Sequence, residues 1–191
     1  MIIRRTGGRA GRMTDPGDPT AVPGVTRINN MKVLGVTLSD TLRFDLHIDR
    51  ICCRARQSMY ALRILTAHGL SGPRLHDVVR ATTLARMLYA APAWWGFAGQ
   101  QQRVRLQSIM NKLIRKRYLP CNNPSVEQLC RHADTTLFSA VLCNPSHVLH
   151  RLLPPAKTMT YCLRPRSHDR VLPQADNSMR KTFIVRMLYN N

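Results

Sequence analysis

The sequence predicts a mainly α-helical bundle that is preceded by one small β-hairpin. Three observations support this fold class. From residue 45 onward, apolar residues recur at spacings of three and four, which is the periodicity of amphipathic helices. A short run rich in β-branched residues, Met31 to Ser39, comes before them and is typical of strands. Hydrophobic residues make up 44% of the 191 residues, which is enough for a packed core.

The first part of the chain contains the disordered and β-structured segments. Residues 1–24 are expected to be disordered because they are rich in glycine and proline and hold few large apolar residues. Residues 25–39 are expected to form the β-hairpin, with its turn at Asn29-Asn30. Gly35 would then lie inside a strand, where a glycine usually marks a bulge or the close approach of a backbone or ligand.

Two long helices are predicted next. The first runs from Asp45 to Ala67, and Gly69 is a good stop signal for it. The second spans about 74–90 and is apolar on most sides, so it is expected to be buried. Pro92 and the glycine that follows it at position 96 are expected to end this helix.

The rest of the chain is expected to be helical with one irregular segment. A third helix is predicted at about 100–117, and two shorter ones at 124–133 and 135–152. Residues 156–176 show no periodicity and are expected to be irregular. A last amphipathic helix is predicted at about 179–189.

The chain is strongly basic. Lys and Arg number 29 against 10 Asp and Glu, which gives a formal net charge of +19. Such a field attracts polyanions. Most of the positive charge is arginine, which favours bidentate contacts with phosphate. The composition therefore predicts a nucleic-acid partner.

Basic residues on two predicted helices are the candidate contacts. On the third helix, Arg105, Lys112 and Lys116 share one side at helical spacing, with Arg115 beside them. On the first helix, four arginines lie off the apolar stripe, and two of these, Arg50 and Arg54, are predicted contacts. Helices of this kind pack with one face and follow phosphates with the other.

The sequence offers no pattern for catalysis or metal binding. Its acidic residues are scattered, with no two adjacent. Asp45 and Asp49 share a helix face and are interpreted as helix-start charges with surface partners. Cys130-x-His132 is at most half of a zinc site. We therefore predict no catalytic residue, no metal and no cofactor. Trp94-Trp95 could stack on bases or belong to the core.

Targeting signals are also not recognised. The first three residues are followed at once by Arg4-Arg5, without the apolar core of a signal peptide. The six cysteines are therefore expected to be free thiols in an intracellular protein. The most apolar segment, about 88–97, is too short to span a bilayer, so no membrane partner is expected. The sequence leaves open nucleus or cytoplasm, and the oligomeric state.

A series of short motifs runs from about residue 25 to residue 189. The first is Lys32-Val33-Leu34-Gly35-Val36, and the second is Leu42-Arg43-Phe44-x-x-His47-Ile48. In order and spacing the series resembles the C-terminal region of reverse transcriptases from non-LTR (LINE) retrotransposons, especially the jockey-like group. The later motifs of the series are Leu88 to Trp94, Gln107 to Arg115, Leu163 to His168, Leu172-Pro173 and Phe183-Ile184-x-Arg186-Met187-Leu188-Tyr189.

The resemblance implies a place for each segment. Residues 25–39, including Leu34 and Gly35, would be the primer grip. Residues 40–120 would be a helical thumb-like domain, and residues 121–191 a helical C-terminal extension. The implied partner is a template–primer duplex of RNA and DNA that the thumb holds by its backbone. The intact polymerase would need magnesium.

The sequence also departs from the family pattern. The aspartate pair of the catalytic palm is absent, and residues 1–24 do not resemble the palm. We therefore expect a truncated, transposon-derived fragment of an RNA-directed DNA polymerase that binds the template–primer backbone and is not an enzyme on its own. Two alternatives are a domesticated basic nucleic-acid-binding module and a pseudogene product without function. The pseudogene product would expose apolar surface where the palm once packed.

Overall fold

The protein is mainly helical and has one small antiparallel hairpin, so the predicted fold class is confirmed. The structure is a computed structural model that describes residues 28–157 and 168–189. The predicted disorder of residues 1–24 lies outside the described residues, as does the middle of the predicted irregular segment, 156–176. The described ends of that segment contain only an isolated antiparallel bridge between Ala156 and Arg170.

The hairpin turns at Leu34-Gly35, so the turn predicted at Asn29-Asn30 was wrong. Strand β1 (Asn30–Val33) pairs with β2 (Val36–Ser39), and Val33 faces Val36 across the turn. Leu34 has φ 47° and Gly35 has φ 87°. Two successive residues with positive φ match the right-handed twist of the strands, which favours this kind of two-residue turn. Gly35 therefore belongs to the turn and not to a strand interior.

Helix α1 (Asp45–Ala67) matches its prediction. Its end has two backbone bonds that satisfy the last carbonyl groups, Gly69 N–H to Thr66 and Leu70 N–H to Leu65. Gly69 has φ 90°, a conformation in which glycine carries no side-chain penalty. The buried face of α1 consists of His47, Ile48, Ile51, Cys52, Ala55 and Leu62.

The second predicted helix is a continuous helical run with an irregular middle. It consists of α2 (Gly72–Val79), a π-helical segment (Arg80–Leu84) and α3 (Ala85–Leu88). The predicted role of Pro92 was wrong, because the run already ends at Leu88 and Ala90 has φ 50°. Pro92 instead stands in the first turn of α4 (Ala91–Trp94), where its missing N–H is not needed.

The later helices follow a 3-10 turn at Trp95–Phe97. Helix α5 (Gln100–Arg115) agrees with its prediction to within two residues. Helix α6 (Val126–Cys143) is one helix, so the predicted break near residue 134 was wrong. It ends before Asn144-Pro145, since proline disfavours a helical residue in front of it. The remaining elements are 3-10 turns at Val148–Leu152 and Met179–Lys181 and helix α7 (Phe183–Tyr189).

The core lies where α1, α4, α5 and α6 meet. Trp94 is fully buried at its centre, and its indole N–H donates to the Tyr89 carbonyl at 2.9 Å. The cluster of buried apolar residues runs from Val36 in β2 to Cys130 in α6. Burial in this cluster raises the pKa of the Cys130 thiol to about 12. It therefore crosses position 120, and the domain boundary drawn there stays a prediction.

Helix α7 is attached by a buried ion pair. Nη2 of Arg186 lies 2.8 Å from both carboxylate oxygens of Asp134 on α6. The same guanidinium donates to the carbonyl of Lys181. Gly96 makes room for this contact, because a Cβ there would overlap both Arg186 and the Lys181 carbonyl. Burial raises the pKa of Asp134 above its usual range even though Arg186 opposes the shift.

Acid is expected to destabilise the fold through His47. The ring is buried, and its Nδ1 accepts from the Thr37 N–H at 3.5 Å. Burial first, and then the charge of Arg50, lowers the pKa of His47. His47 therefore binds a proton more readily in the unfolded chain than in the folded one. The free energy of unfolding should fall as the pH drops below about 6.5, the pKa of histidine in an unfolded chain.

Urea unfolding at a series of pH values measures this effect. His47→Gln keeps an acceptor and does not titrate, so its unfolding free energy should fall less steeply with acid than that of the wild type. Parallel pH profiles of the two proteins would contradict the assignment.

Candidate nucleic-acid interface

Helices α1 and α5 run side by side in the same direction. The Gln102 side-chain amide donates to Asp45, and Arg105 Nη2 lies 2.7 Å from Asp49 Oδ1. One turn further along α1 therefore corresponds to one turn further along α5. Leu106 and Leu113 on α5 are fully buried below this line of contacts.

The charges along this line change from paired to unpaired. Two turns beyond Asp49 stands Arg56, and two turns beyond Arg105 stands Lys112, so both point to the same side as the ion pair. Arg63 on α1 and Lys116 just after α5 extend the two rows. These four side chains, Arg56, Arg63, Lys112 and Lys116, are all exposed, and we call them the basic seam.

No carboxylate within the described residues neutralises the basic seam. Most of the described acidic side chains lie away from these four residues and form an ion pair with an arginine. The described ion pairs are Arg43–Asp45, Arg80–Asp77, Arg105–Asp49, Arg131–Glu127, Arg170–Asp169 and Arg186–Asp134. The seam therefore consists of two short rows of cations whose field is open to an anionic ligand.

Arg105 differs from Lys112 and Lys116, with which the sequence groups it. The hydrogen bond and the charge of Asp49 raise the pKa of Arg105. Its guanidinium is half-exposed but forms an ion pair with Asp49 that links α5 to α1. Arg115 is exposed at the end of α5 and makes no ion pair with another described residue.

Arg50 and Arg54 lie on a different flank of α1. They are displaced by about 100° and 140° around the helix from Asp49, at 3.6 residues per turn. Arg50 donates to the Thr37 hydroxyl of β2 at 2.7 Å, so it supports the hairpin. Arg54 is exposed and makes no ion pair among the described residues. The structure therefore does not bring these two together with Lys112 and Lys116.

Leu34 and Gly35 form a separate, prominent feature. The Leu34 side chain is 86% exposed at the tip of the hairpin. Tyr89 holds the turn from below, with its hydroxyl donating to the Leu34 carbonyl at 3.0 Å. A Cβ on Gly35 would stand 3.3 Å from the Tyr89 ring, which leaves little space for any other residue.

Sequence reasoning missed three candidate residues and left one question open. In the sequence Arg56 and Arg63 lie off the apolar stripe like the other arginines of α1. Only the packing of α1 beside α5, which carries Lys112, identifies them as candidate contacts. Tyr60, between them on α1, is 67% exposed. Trp94 and Trp95 are buried, so they belong to the core and do not offer a stacking surface.

The interpretation of Asp45 and Asp49 as surface pairs is confirmed by their contacts with Arg43, Gln102 and Arg105. Among residues 28–157 and 168–189 there is no group of three His, Cys, Asp or Glu side chains that could hold a metal ion. None of the described helices combines the length and the apolar character needed to cross a membrane.

Comparison with known proteins adds no relative. No family model matches the chain, and neither a curated protein nor a solved structure matches it significantly.

Proposed function

We propose that this chain binds the backbone of a template–primer duplex and is the thumb-like part of a non-LTR retrotransposon reverse transcriptase. The observation that carries the proposal is the basic seam, whose four cations have no carboxylate partner among the described residues. Backbone contacts by lysine and arginine supply most of the sequence-independent affinity for nucleic acid. The missing aspartate pair means that the chain by itself would not extend a primer.

Motifs of the series that stand far apart in the sequence contact one another in the fold. Tyr89, in the motif that ends at Trp94, holds the Leu34 carbonyl of the first motif. His47, from the second motif, meets Trp94 edge to face with ring centroids 5.7 Å apart. Segments that carry the resemblance and stand far apart in the sequence are thus one structural unit.

Charge reversal on the basic seam is expected to weaken duplex binding. Lys112→Glu with Lys116→Glu should lower the affinity for a blunt RNA–DNA duplex at least tenfold, and should reduce the salt dependence by about 0.9 per lost phosphate contact. Fluorescence anisotropy with a labelled duplex over a salt series measures both quantities.

The matched control is Arg151→Glu with Lys181→Glu, which changes the net charge equally at two exposed positions of the C-terminal region. If both double variants weaken binding to the same extent, only the total charge matters and the seam is not the contact surface. If neither variant changes binding, the proposal fails.

A further inference from the structure

We propose that the basic seam holds a junction, with the duplex backbone on its lysines and an unpaired base stacked on Tyr60. The inference rests on the proposed function, whose template–primer duplex includes a single-stranded extension, and assigns to Tyr60 the contact with an unpaired base of that extension. Tyr60 lies one turn beyond Arg56 and one turn before Arg63, so its ring stands inside the seam.

Tyr60 differs from the other exposed tyrosines that the structure describes. Tyr89 is 54% exposed, but its hydroxyl donates to Leu34. Tyr189 is 37% exposed, and its hydroxyl donates to the Pro173 carbonyl while Arg180 covers its ring at 5.0 Å. Within the described residues Tyr60 has no hydrogen bond and no ring contact. It is also the most exposed of the three.

The surroundings of Tyr60 specify the ligand. Every base has a flat π-face that stacks on an aromatic ring, whereas the bases of a closed duplex are already stacked on each other. An aromatic ring therefore selects an unpaired base. The arginines on both sides of Tyr60 would hold the phosphates next to that base. Lys112 and Lys116 on α5 would hold the adjoining duplex by its backbone.

An anionic lipid surface is the competing ligand. Ile64 and Leu65, one turn after Tyr60, are 43% and 39% exposed and would enter such a surface. The nucleic acid is favoured because the cations lie in two rows along neighbouring helices, which follows a phosphate backbone. An interfacial helix instead places its cations opposite a continuous apolar face.

Tyr60→Ala is expected to weaken the binding of a duplex with a single-stranded extension by about fivefold or more, the loss of one base–aromatic stack. It should leave the binding of the blunt duplex unchanged. Tyr60→Phe keeps the ring and should bind both probes like the wild type. Anisotropy with both duplexes is the readout, and 2-aminopurine as the first unpaired base reports stacking through its fluorescence.

The outcomes separate this inference from the proposed function. Equal loss on both duplexes, or no loss on either, overturns the stacking role of Tyr60. If Lys112→Glu with Lys116→Glu weakens the blunt duplex but Tyr60→Ala spares the extended one, the duplex function stands and the junction does not. If a single-stranded oligonucleotide alone binds through Tyr60 and no duplex binds, the duplex function fails. Tyr60-dependent binding of anionic vesicles, with oligonucleotide binding unaffected by Tyr60→Ala, overturns the junction in favour of a membrane contact. The duplex function fails as well only if Lys112→Glu with Lys116→Glu also leaves duplex binding unchanged.

Discussion

Replacement of Arg186 by methionine is expected to lower the free energy of unfolding by about 3–5 kcal/mol, because it leaves the carboxylate of Asp134 buried without a partner. The Asp134 side chain is only 6% exposed, and that of Arg186 is 12% exposed. Burial already raises the pKa of Asp134, so the loss of the guanidinium would raise it further. Urea unfolding followed by circular dichroism measures the change.

The double variant Asp134→Leu with Arg186→Met is the control for this prediction. Removing both charges avoids the orphaned carboxylate, and apolar residues often replace a buried ion pair at little or no loss of stability. The double variant should therefore be more stable than Arg186→Met alone. Together with the wild type and Asp134→Leu alone, the two variants form a double-mutant cycle. Additive effects of the two substitutions would show that the pair is not coupled.

Trp94→Ala is expected to cost about 3–5 kcal/mol of stability, the usual loss for a large aromatic residue in a core. Trp94 is fully buried, and its indole N–H is the partner of the Tyr89 carbonyl. The alanine variant would leave a cavity and remove that hydrogen bond. It would also take away the ring that His47 touches, at the point where the hairpin and α1 meet α4.

Thermal or urea unfolding of Trp94→Ala tests this prediction, with Tyr60→Ala as an exposed-aromatic control that should change stability little. Trp94→Phe should fall between the wild type and Trp94→Ala, because it retains most of the volume but not the N–H donor. A loss for Trp94→Ala no larger than that for Tyr60→Ala would contradict the central place of Trp94 in the core.

The helices were predictable because their signals are local. The stripe with Ile48, Ile51 and Cys52 defines α1 without knowledge of any other segment, and Gly69 marks its end. The break proposed in α6 had no such support. Asp134 looks like a polar interruption in the sequence, but in the fold it is the partner of Arg186, which is 52 residues away. A contact of that range leaves no periodic trace.

The candidate interface was predictable only as a set of cations. Helical spacing puts Arg105, Lys112 and Lys116 on one face. In the structure Arg105 and Lys112 lie within α5, and Lys116 directly follows its end. Spacing alone does not reveal that Arg105 forms an ion pair with Asp49. The partner across the seam, Arg56, depends on which helices touch and in which direction they run. That information resides in tertiary packing and not in either helix.

The attachment of α7 has a consequence for the order of events during protein synthesis. The ribosome makes the chain from its N-terminus, and domains generally fold as their residues emerge. Arg186 is made 52 residues after Asp134, so until then the carboxylate has no guanidinium to pair with. The ion pair between α6 and α7 can form only after residue 186 has left the ribosome. The four cations of the basic seam lie between residues 56 and 116, so all of them are made before that moment.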